Sequence, residues 1–282
     1  MKQILVISGK GGTGKTILTA SFAALAKNKI MVDCDVDAAD LHLILHPEIK
    51  ETHEFRSGKT AVFNPALCTR CGACRQVCRF DAINNECAID PIDCEGCGLC
   101  ARICTKGAIT MEENHSGEWY ISDTQYGPLV HARLGIAEEN SGKLVAKVRQ
   151  VAKELGEKEQ RDYVIIDGPP GIGCPVIASL SGIDQAVVVT EPTVSGLHDL
   201  KRVVEVAQHF KVKTGVVINK YDLNPENANV IEQYCATIGI EVIGKIPFSK
   251  EVSISIVKGI PAVLFCKDGT AEAITAVWEK IV

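Results

Sequence analysis

The chain has 282 residues, of which 46% are hydrophobic, enough to form the core of one large domain or two modest ones. Its formal net charge of −5 argues against the basic surface on which non-specific nucleic-acid binding relies. No apolar run approaches the roughly 20 residues that a membrane-spanning helix requires. We therefore expect no membrane and no nucleic acid among the partners.

Short apolar segments, rich in Val and Ile, alternate with helix-period segments along most of the chain. Such apolar segments predict strands buried on both faces of a parallel sheet. The alternation indicates an α/β fold with a doubly wound, mostly parallel sheet. Strands are predicted at 3–8, 30–34, 163–167, 186–190, 215–219 and 242–246. Helices are predicted at 16–27, 143–155, 194–210 and 225–238.

The C-terminal segment, TAEAITAVWEKIV, is amphipathic but has a single lysine. A helix that binds a membrane surface would need a cationic polar face. We therefore expect this segment to pack on the protein's own core.

A glycine-rich loop follows the first predicted strand and opens the first predicted helix. It matches the P-loop pattern, in which backbone N–H groups and a helix N-terminus surround phosphate oxygens. In this pattern Lys15 reaches the β- and γ-phosphates, and the hydroxyl of Thr16 binds Mg²⁺. The loop comprises Gly9, Lys10, Gly11, Gly12, Thr13, Gly14, Lys15 and Thr16.

The lysine directly after the first glycine, Lys10, resembles the deviant Walker A motif of the MinD/ParA family, whose relatives include the nitrogenase iron protein. The resemblance covers residues 1–50 and 117–282. It implies that Lys10 reaches into the nucleotide site of a facing subunit, so that ATP is enclosed in a dimer. The alternative is a solvated loop lysine.

Acidic residues follow two of the predicted strands. After the second strand, the resemblance implies a carboxylate that orients the attacking water, and Asp35 fits best, with Asp37 and Asp40 as alternatives. Acids here could instead cap the next helix. After the strand at 163–167, the resemblance implies that Asp167 contacts Mg²⁺ through water. Residues 168–173 then form a loop that responds to the γ-phosphate.

Two later residues are candidates for recognising the base. The resemblance implies that Asn219 and Pro247 contact adenine. Asn219 also begins the sequence NKYD, which matches the guanine-reading NKxD tetrad of many GTPases and ends at Asp222. The Lys10 loop and the GKIP segment favour ATP, and GTP is the alternative.

Eight cysteines between residues 68 and 104 form two runs with the same spacing, C-x2-C-x2-C-x3-C. This spacing resembles the bacterial-type ferredoxins, in which each run gives three ligands to one 4Fe-4S cluster and its fourth cysteine to the other. The usual proline after the fourth cysteine is absent. The resemblance implies a first cluster on Cys68, Cys71, Cys74 and Cys104. It implies a second cluster on Cys94, Cys97, Cys100 and Cys78.

Disulfides and zinc are the alternatives for these cysteines. The strand-like opening, MKQILVIS, does not read as a cleavable signal, so we expect a cytoplasmic, reducing location that disfavours disulfides. Zinc knuckles use two pairs of cysteines and leave the third regularly spaced member of each run unexplained. We expect two 4Fe-4S clusters.

The cysteine segment interrupts the alternation of strands and helices and has its own internal repeat. We therefore predict an inserted α+β ferredoxin-like domain at 61–113, and a P-loop ATPase domain formed by 1–60 and 114–282. The segments EWYIS and PLVHARL should rejoin the host sheet. Residues 127–145 also look typical of MinD-superfamily ATPases with an inserted ferredoxin domain. We expect His131, within them, to be a structural histidine.

Five cysteines lie outside the two runs. Free cysteine is usually a small buried hydrophobic residue, and we expect this of all of them, with an alternative for Cys174 alone. Cys174 has a second interpretation, because the nitrogenase iron protein places a cluster-ligating cysteine at the same interval from Asp167. The resemblance implies a bridging or transient cluster ligand, although we find no second such cysteine between Cys104 and Asp167. The five are Cys34, Cys87, Cys174, Cys235 and Cys266.

Together these features predict an ATPase with ATP, Mg²⁺ and two 4Fe-4S clusters as cofactors. ATP binding would close a homodimer, or a heterodimer with a paralogue. The dimer would drive electron transfer, or the assembly or delivery of a metallocluster, to a client protein. The alternative is a spatial-organisation ATPase like MinD or ParA with structural or sensing clusters. A passive electron carrier is a third possibility, which the water-positioning Asp35 disfavours.

Overall fold

A computed structural model describes residues 1–135 and 141–282. Part of the 127–145 segment therefore lies outside the described residues. The strands are β1 (Lys2–Ser8), β2 (Lys29–Asp33), β3 (Glu48–Phe63), β4 (Ile109–Thr124), β5 (Gly127–Leu134), β6 (Tyr163–Pro170), β7 (Gln185–Thr190), β8 (Lys213–Asn219) and β9 (Glu241–Ile246). The helices are α1 (Lys15–Leu25), α2 (Leu41–Leu45), α3 (Ala73–Val77), α4 (Leu99–Ile103), α5 (Ser141–Lys158), α6 (Cys174–Leu180), α7 (Val194–His209), α8 (Pro225–Thr237), α9 (Lys250–Val257), α10 (Ala262–Phe265) and α11 (Thr270–Ile281). Short 3-10 turns lie at Pro65–Leu67 and Tyr221–Leu223.

The chain divides into two compact units. The first unit comprises 1–53, 119–133 and 141–282. The second comprises 54–118 and a segment that starts at Leu134. Strands β3 and β4 have 16 residues each and contribute to both units. The second unit therefore extends beyond the 61–113 segment, because these strands continue past the cysteines.

The sheet has the strand order β3-β4-β5-β2-β6-β1-β7-β8-β9. Strand β1 pairs in parallel with β6 and β7, and the parallel pairing continues through β8 to β9 on one side and through β2 to β5 on the other. The predicted segments EWYIS and PLVHARL lie in β4 and β5. Because parallel strands end at the same edge, the segments after β1, β2, β6, β7, β8 and β9 all meet there.

The core of the first unit lies between this sheet and its helices. Residues 4–7 of β1 are completely buried, as their continuous apolar sequence predicts. Helix α11 packs its apolar face on the same core, where the rings of Trp278 and Phe22 have centroids 5.2 Å apart. The prediction that the C-terminal segment packs on the protein's own core is confirmed. No helix in the described parts of the chain is long and apolar enough to cross a bilayer.

The second unit repeats one short structural motif. Helices α3 and α4 each follow a glycine in the left-handed conformation, Gly72 at φ 76° and Gly98 at φ 72°. Glycine adopts this conformation without a Cβ clash, so each helix can begin directly after a tight turn. The third cysteine of each run lies in the following helix, Cys74 in α3 and Cys100 in α4. The sequence repeat thus becomes a repeat of backbone geometry.

Two aromatic residues lie where the chain leaves the first unit and where it returns to that unit. His53 is the last residue of the unit's first segment, and Trp119 is the first residue of its second. Their rings stack with centroids 3.9 Å apart and an interplanar angle of 8°. The ammonium of Lys147 lies 5.3 Å from the Trp119 ring, within the range of a cation–π interaction. The point at which the chain leaves the first unit is therefore adjacent to the point at which it returns.

Candidate functional site

The glycine-rich loop forms one wall of a cavity of about 540 Å³ at the carboxyl edge of the sheet. Lys15 and Thr16, at the start of α1, line this cavity together with Asp35 from the segment after β2. The Lys15 side chain is largely buried. Its charge faces the carboxyl edge of the sheet, where the N-terminus of α1 adds its partial positive charge. The arrangement suits a phosphate chain.

Gly14 connects this cavity to a second one. It has a left-handed conformation, with φ at 97°, and a Cβ on it would lie 2.5 Å from Asn219 Nδ2. Asn219 donates from that amide nitrogen to the Thr13 carbonyl oxygen at 2.8 Å. A side chain at position 14 would therefore strain the backbone and disturb the hydrogen bond between the loop and the end of β8.

The second cavity has a volume of about 200 Å³ and is mostly apolar. Gly14, Asn219 and Pro247 line it, so the structure brings the loop and both proposed base contacts together. Asp222, the last residue of the NKxD sequence, instead accepts a hydrogen bond from the Phe248 backbone N–H at 2.7 Å. Its carboxylate fixes the segment after β9 and is not among the residues that line the cavity.

Two buried carboxylates lie side by side on neighbouring strands, Asp33 at the end of β2 and Asp167 within β6. Burial raises the pKa of each above its usual range, and at Asp33 the neighbouring charge of Asp167 raises it further. Asp33 accepts hydrogen bonds from the backbone N–H groups of Asp35 and Leu41, at 3.0 and 3.2 Å. It therefore holds the segment after β2 in place.

Asp35 remains available for chemistry. It lines the phosphate cavity and is half buried, and burial raises its pKa while the Lys15 charge lowers it. Asp37 and Asp40 also line the cavity but are exposed. Asp40 stands at the N-cap of α2 without making a side-chain capping hydrogen bond. Asp33, and not Asp35, bonds the first N–H of α2, whereas the Asp35 carboxylate interacts with the backbone N–H of Ala38.

Asp167 fits a metal-binding role through its unsatisfied oxygen. Its Oδ1 accepts a hydrogen bond from the Thr19 hydroxyl at 3.0 Å, while its buried Oδ2 has no hydrogen-bond partner among the described residues. The hydroxyl of Thr16 also contacts this carboxylate, and the charge of Lys15 lowers its pKa against the effect of burial. A buried carboxylate oxygen without a partner is costly, and a hydrated divalent cation would satisfy it.

Lys10 does not line the phosphate cavity of its own chain. Its Nζ lies 3.4 Å from Glu191 Oε2 and 3.4 Å from the Ser195 hydroxyl. Glu191 follows β7 and also pairs with Lys220, at 2.6 Å. The sequence analysis missed Glu191, whose position directly after a buried strand is the signal that it lies at the carboxyl edge. The solvated-loop interpretation of Lys10 is incomplete, since the ammonium has two defined partners.

The cysteines of the second unit surround two separate cavities. Each cavity is lined by the first three cysteines of one run together with the fourth cysteine of the other run. Such a crossed set of four thiols suits a 4Fe-4S cluster. One cavity is lined by Cys68, Cys71, Cys74 and Cys104, and additionally by Cys87. The other is lined by Cys78, Cys94, Cys97 and Cys100.

Backbone N–H groups point at two sulfur atoms of the first cavity. Arg70 N–H donates to Cys68 Sγ and Ala108 N–H donates to Cys104 Sγ, both at 3.3 Å. Hydrogen bonds from the backbone, the Ala108 N–H first, lower the pKa of the Cys104 thiol. Such donors stabilise a thiolate, which is the form that binds iron.

The cysteines outside the two runs separate into two groups. Cys34, Cys87, Cys235 and Cys266 are buried, as predicted. The buried-thiol prediction for Cys174 is wrong, because Cys174 is exposed at the first residue of α6, and its interpretation as a cluster ligand stays a prediction. A glycine at position 142 lets α5 approach the Cys174 backbone, since a Cβ there would lie 3.3 Å from Cys174 Cβ.

His131 is held within the first unit by its neighbours. Its Nε2 lies 2.9 Å from the Ser122 hydroxyl, and the Tyr120 ring stacks on it at 4.9 Å. Burial, and then the charge of His42, lower the pKa of His131 to about 4. These contacts agree with the expected structural role.

Comparison with known proteins gives matches along nearly the whole chain. Residues 4–262 match the family described as "CobQ/CobB/MinD/ParA nucleotide binding domain". An uncharacterized protein of Methanocaldococcus jannaschii is 35% identical over 285 residues, which cover 99% of this chain and 96% of that protein. The septum site-determining protein MinD of Synechocystis is 25% identical over 276 residues, covering 94% of this chain and 83% of MinD.

A solved structure shows the same fold. It is the septum site-determining protein MinD from Pyrococcus horikoshii, complexed with Mg-ADP. It aligns with a TM-score of 0.62 at 17% identity and covers 99% of this chain and 95% of that one. The likeness extends to the α/β architecture and its mostly parallel sheet.

Proposed function

This chain belongs to the CobQ/CobB/MinD/ParA nucleotide-binding family and is an ATPase of the MinD/ParA type, and from this premise we propose that ATP controls two 4Fe-4S clusters. ATP binding closes a dimer, and the closed dimer transfers electrons, or assembles or delivers a metallocluster, to a client protein. The dimer is a homodimer or a heterodimer with a paralogue. The observation that carries this proposal is the crossed grouping of eight thiols around two cavities.

The donor sets support iron rather than zinc. Each cavity is lined by four run cysteines, three from one run and one from the other, as bacterial-type ferredoxins require. Zinc sites would group two Cys-x2-Cys pairs and would leave a thiol of each run unused. When bound, the clusters supply one-electron chemistry, and the thiolates and backbone donors of this chain hold them.

The polar groups at the carboxyl edge support ATP with Mg²⁺ as the nucleotide. Lys15 holds the β- and γ-phosphates, while Thr16 and Asp167 bind the hydrated cation. Asn219 and Pro247 face the adenine. GTP is disfavoured because the Asp222 carboxylate, which would accept from guanine, already accepts from Phe248 N–H.

Asp35 and Lys10 act in hydrolysis from opposite sides of the nucleotide. Asp35 positions the attacking water and accepts its proton if the water lies within hydrogen-bond reach. Lys10 lies outside the phosphate cavity of its own chain, which supports its action in the site of a facing subunit. There its charge would stabilise the transferring phosphoryl group.

The proposal is tested on anaerobically purified protein. We expect about eight iron and eight sulfide per chain, since each cluster contains four of each. We also expect cluster midpoint potentials to differ among samples with no nucleotide, with ADP and with a non-hydrolysable ATP analogue. If ATP binds the protein with different affinities when the clusters are oxidised and when they are reduced, ATP must also change the midpoint potential of the clusters. Zinc without acid-labile sulfide would overturn the iron assignment, and identical midpoints would overturn the coupling.

The MinD relatives favour a second candidate, a spatial-organisation ATPase with structural or sensing clusters. It predicts full iron content together with midpoint potentials that are independent of nucleotide. The redox titration therefore separates the two functions.

A further inference from the structure

The first cysteine cavity contains one thiol more than a 4Fe-4S cluster needs. Cys68, Cys71, Cys74 and Cys104 line it, as does Cys87, which belongs to neither run. The second cavity is lined by four cysteines only. In the repeat, position 113 corresponds to position 87 and is occupied by glutamate. The fifth thiol thus distinguishes one half of the repeat from the other.

Cys87 contacts the thiols of the first cavity directly. The residue is 4% exposed, and its thiol neighbours those of Cys74 and Cys68. Cys87 therefore lies beside two of the candidate ligands in the same cavity. An isolated thiol elsewhere in the core would have no such neighbours.

The turn that holds Cys87 is fixed by its backbone. Asn84 Oδ1 accepts hydrogen bonds from the N–H groups of Glu86 and Ala88, at 3.0 and 2.9 Å. The backbone N–H of Cys87 donates to the Asn84 carbonyl at 3.1 Å. Ile83 and Ile89 close the turn with an antiparallel bridge. The Cys87 side chain is thus held at the cavity.

Cys87 has an unfavourable backbone conformation for this position, with φ at 64°. Glycine or asparagine adopts the left-handed region more easily than a residue with an ordinary Cβ. If the position served only the turn, glycine or asparagine would fit better. If it served only packing, alanine or valine would fill the space without a thiol. The contacts with Cys68 and Cys74 give a reason for cysteine.

We propose that Cys87 is a reserve ligand of the first cluster, which binds iron when Cys68 or Cys74 is displaced. The inference rests on the proposed function, since it requires a cluster in this cavity. In the exchange one iron–thiolate bond breaks and another forms. The proton that leaves the Cys87 thiol is balanced by the proton that the displaced thiolate takes up. No electron is transferred, and the charge of the cluster with its four ligands is unchanged.

The experiment compares matched alanine variants in the two cavities. Alanine is chosen because a serine oxygen could itself bind iron. Cys74→Ala and Cys100→Ala remove the corresponding third cysteine of each run. We expect Cys74→Ala to keep about eight iron and eight sulfide per chain, because Cys87 replaces the lost ligand. We expect Cys100→Ala to fall to about half, because the second cavity has no fifth thiol.

Two further variants identify Cys87 as the replacement. Cys87→Ala alone should keep about eight iron per chain, and Cys74→Ala combined with Cys87→Ala should fall to about half. Electron paramagnetic resonance of the reduced Cys74→Ala protein should show the first cluster with an altered signal. ATP binding and circular dichroism confirm that each variant is folded. Cys68→Ala and Cys94→Ala form a second matched pair for the case in which one of the first pair fails to fold.

The possible outcomes separate this inference from the proposed function. If the unmodified protein contains no iron, the proposed function is overturned. If it contains eight iron but Cys74→Ala loses as much iron as Cys100→Ala, the reserve-ligand inference alone is overturned. Retention of eight iron in the double variant would also overturn it, because another group would then be the replacement.

Discussion

At the scale of single residues, Gly14 joins the phosphate-binding loop to the end of β8. Its left-handed backbone and its closeness to Asn219 both exclude a side chain. Gly11 belongs to the same loop, but a Cβ on it would have no neighbour within 4 Å. The two positions therefore separate the effect of local geometry from the effect of adding a methyl group to the loop.

We expect Gly14→Ala to weaken ATP binding by at least about tenfold, or ~1.4 kcal/mol. The added methyl group strains the backbone and displaces the Asn219 amide from Thr13. Isothermal titration calorimetry measures the affinity, with Gly11→Ala as the control that should remain within about threefold of the original protein. Equal losses in both variants would contradict this account of Gly14.

His131 gives a pH dependence to the stability of the first unit. Its pKa in the folded chain is about 4, below the ordinary value of 6.5, so folding favours the neutral ring. The stabilisation is fully present above pH 6.5 and is lost as the pH falls towards 4. We expect His131 to contribute on the order of 1–3 kcal/mol to this loss.

The measurement for His131 compares the original protein with His131→Gln, which retains a partner for Ser122. The variant's unfolding free energy should depend less on pH between 6.5 and 4. Proton NMR of the ring should give the low pKa directly. A ring that titrates near pH 6.5 would disprove the burial argument.

The residue roles that the sequence predicted best are those fixed by short patterns. The P-loop pattern specified Lys15 and Thr16, because spacing along one loop determines which groups face a phosphate. The pattern could not show that Asp33 holds the chain beside Asp35, nor that Lys10 pairs with Glu191. The contact of Lys10 with Glu191 joins segments that are distant in sequence, and the bonds of Asp33 depend on the path that the chain takes after β2.

At the scale of elements, the buried parallel strands were predicted closely and the long strand β3 was not. The buried strands have continuous Val and Ile, which is a strong signal. Strand β3 begins EIKETHEFRSG, and most of its side chains are exposed. Its sequence therefore did not need, and does not show, the regular alternation of apolar and polar residues that predicts a half-buried strand. Its existence depends on pairing within the sheet, which a local pattern does not contain.

Strand β3 also restricts the loop of the second cysteine run. Gly96 lies between Cys94 and Cys97 with φ at 63°, and a Cβ on it would overlap the carbonyl oxygen of Lys59 in β3. Gly107 has nearly the same φ, 64°, but a Cβ there would have no neighbour within 4 Å. Both glycines belong to the second unit.

We expect Gly96→Ala to lower the free energy of unfolding of the second unit by about 2–4 kcal/mol, through backbone strain and overlap with β3. Gly107→Ala has the strain alone and should lower it by about 1 kcal/mol. Thermal unfolding measures the difference, and iron content should fall more in Gly96→Ala. Equal destabilisation would mean that β3 does not limit this loop.

At the scale of the whole molecule, the position of Lys10, which pairs with Glu191 outside the phosphate cavity, is relevant to the proposed ATP-dependent dimer. We propose that Lys15 serves the nucleotide of its own chain and that Lys10 serves the nucleotide of the facing subunit. We expect Lys10→Ala to keep ATP binding within a few fold but to lose ATP-dependent dimerisation and hydrolysis. Lys15→Ala should lose tight binding altogether, because the phosphates lose their buried cation.

Light scattering with and without an ATP analogue measures the mass of each variant, and calorimetry measures its affinity. Asp222→Asn provides a further check on the nucleotide. It should weaken ATP binding through the Phe248 segment without creating a preference for GTP. If Lys10→Ala and Lys15→Ala lose affinity equally, Lys10 acts within its own chain and the shared site is ruled out.

The stacked rings of His53 and Trp119 have a consequence for the ancestry of such proteins. A gene that acquires a long insertion must place it where the host protein can still form. Here the two host residues that flank the insertion already touch, with ring centroids 3.9 Å apart. An inserted segment whose own ends lie close together can be accommodated there without a change in the fold of the first unit. After a later deletion, a short turn is enough to connect the two flanking residues. The joint thus permits both gain and loss of the second unit within one ATPase lineage.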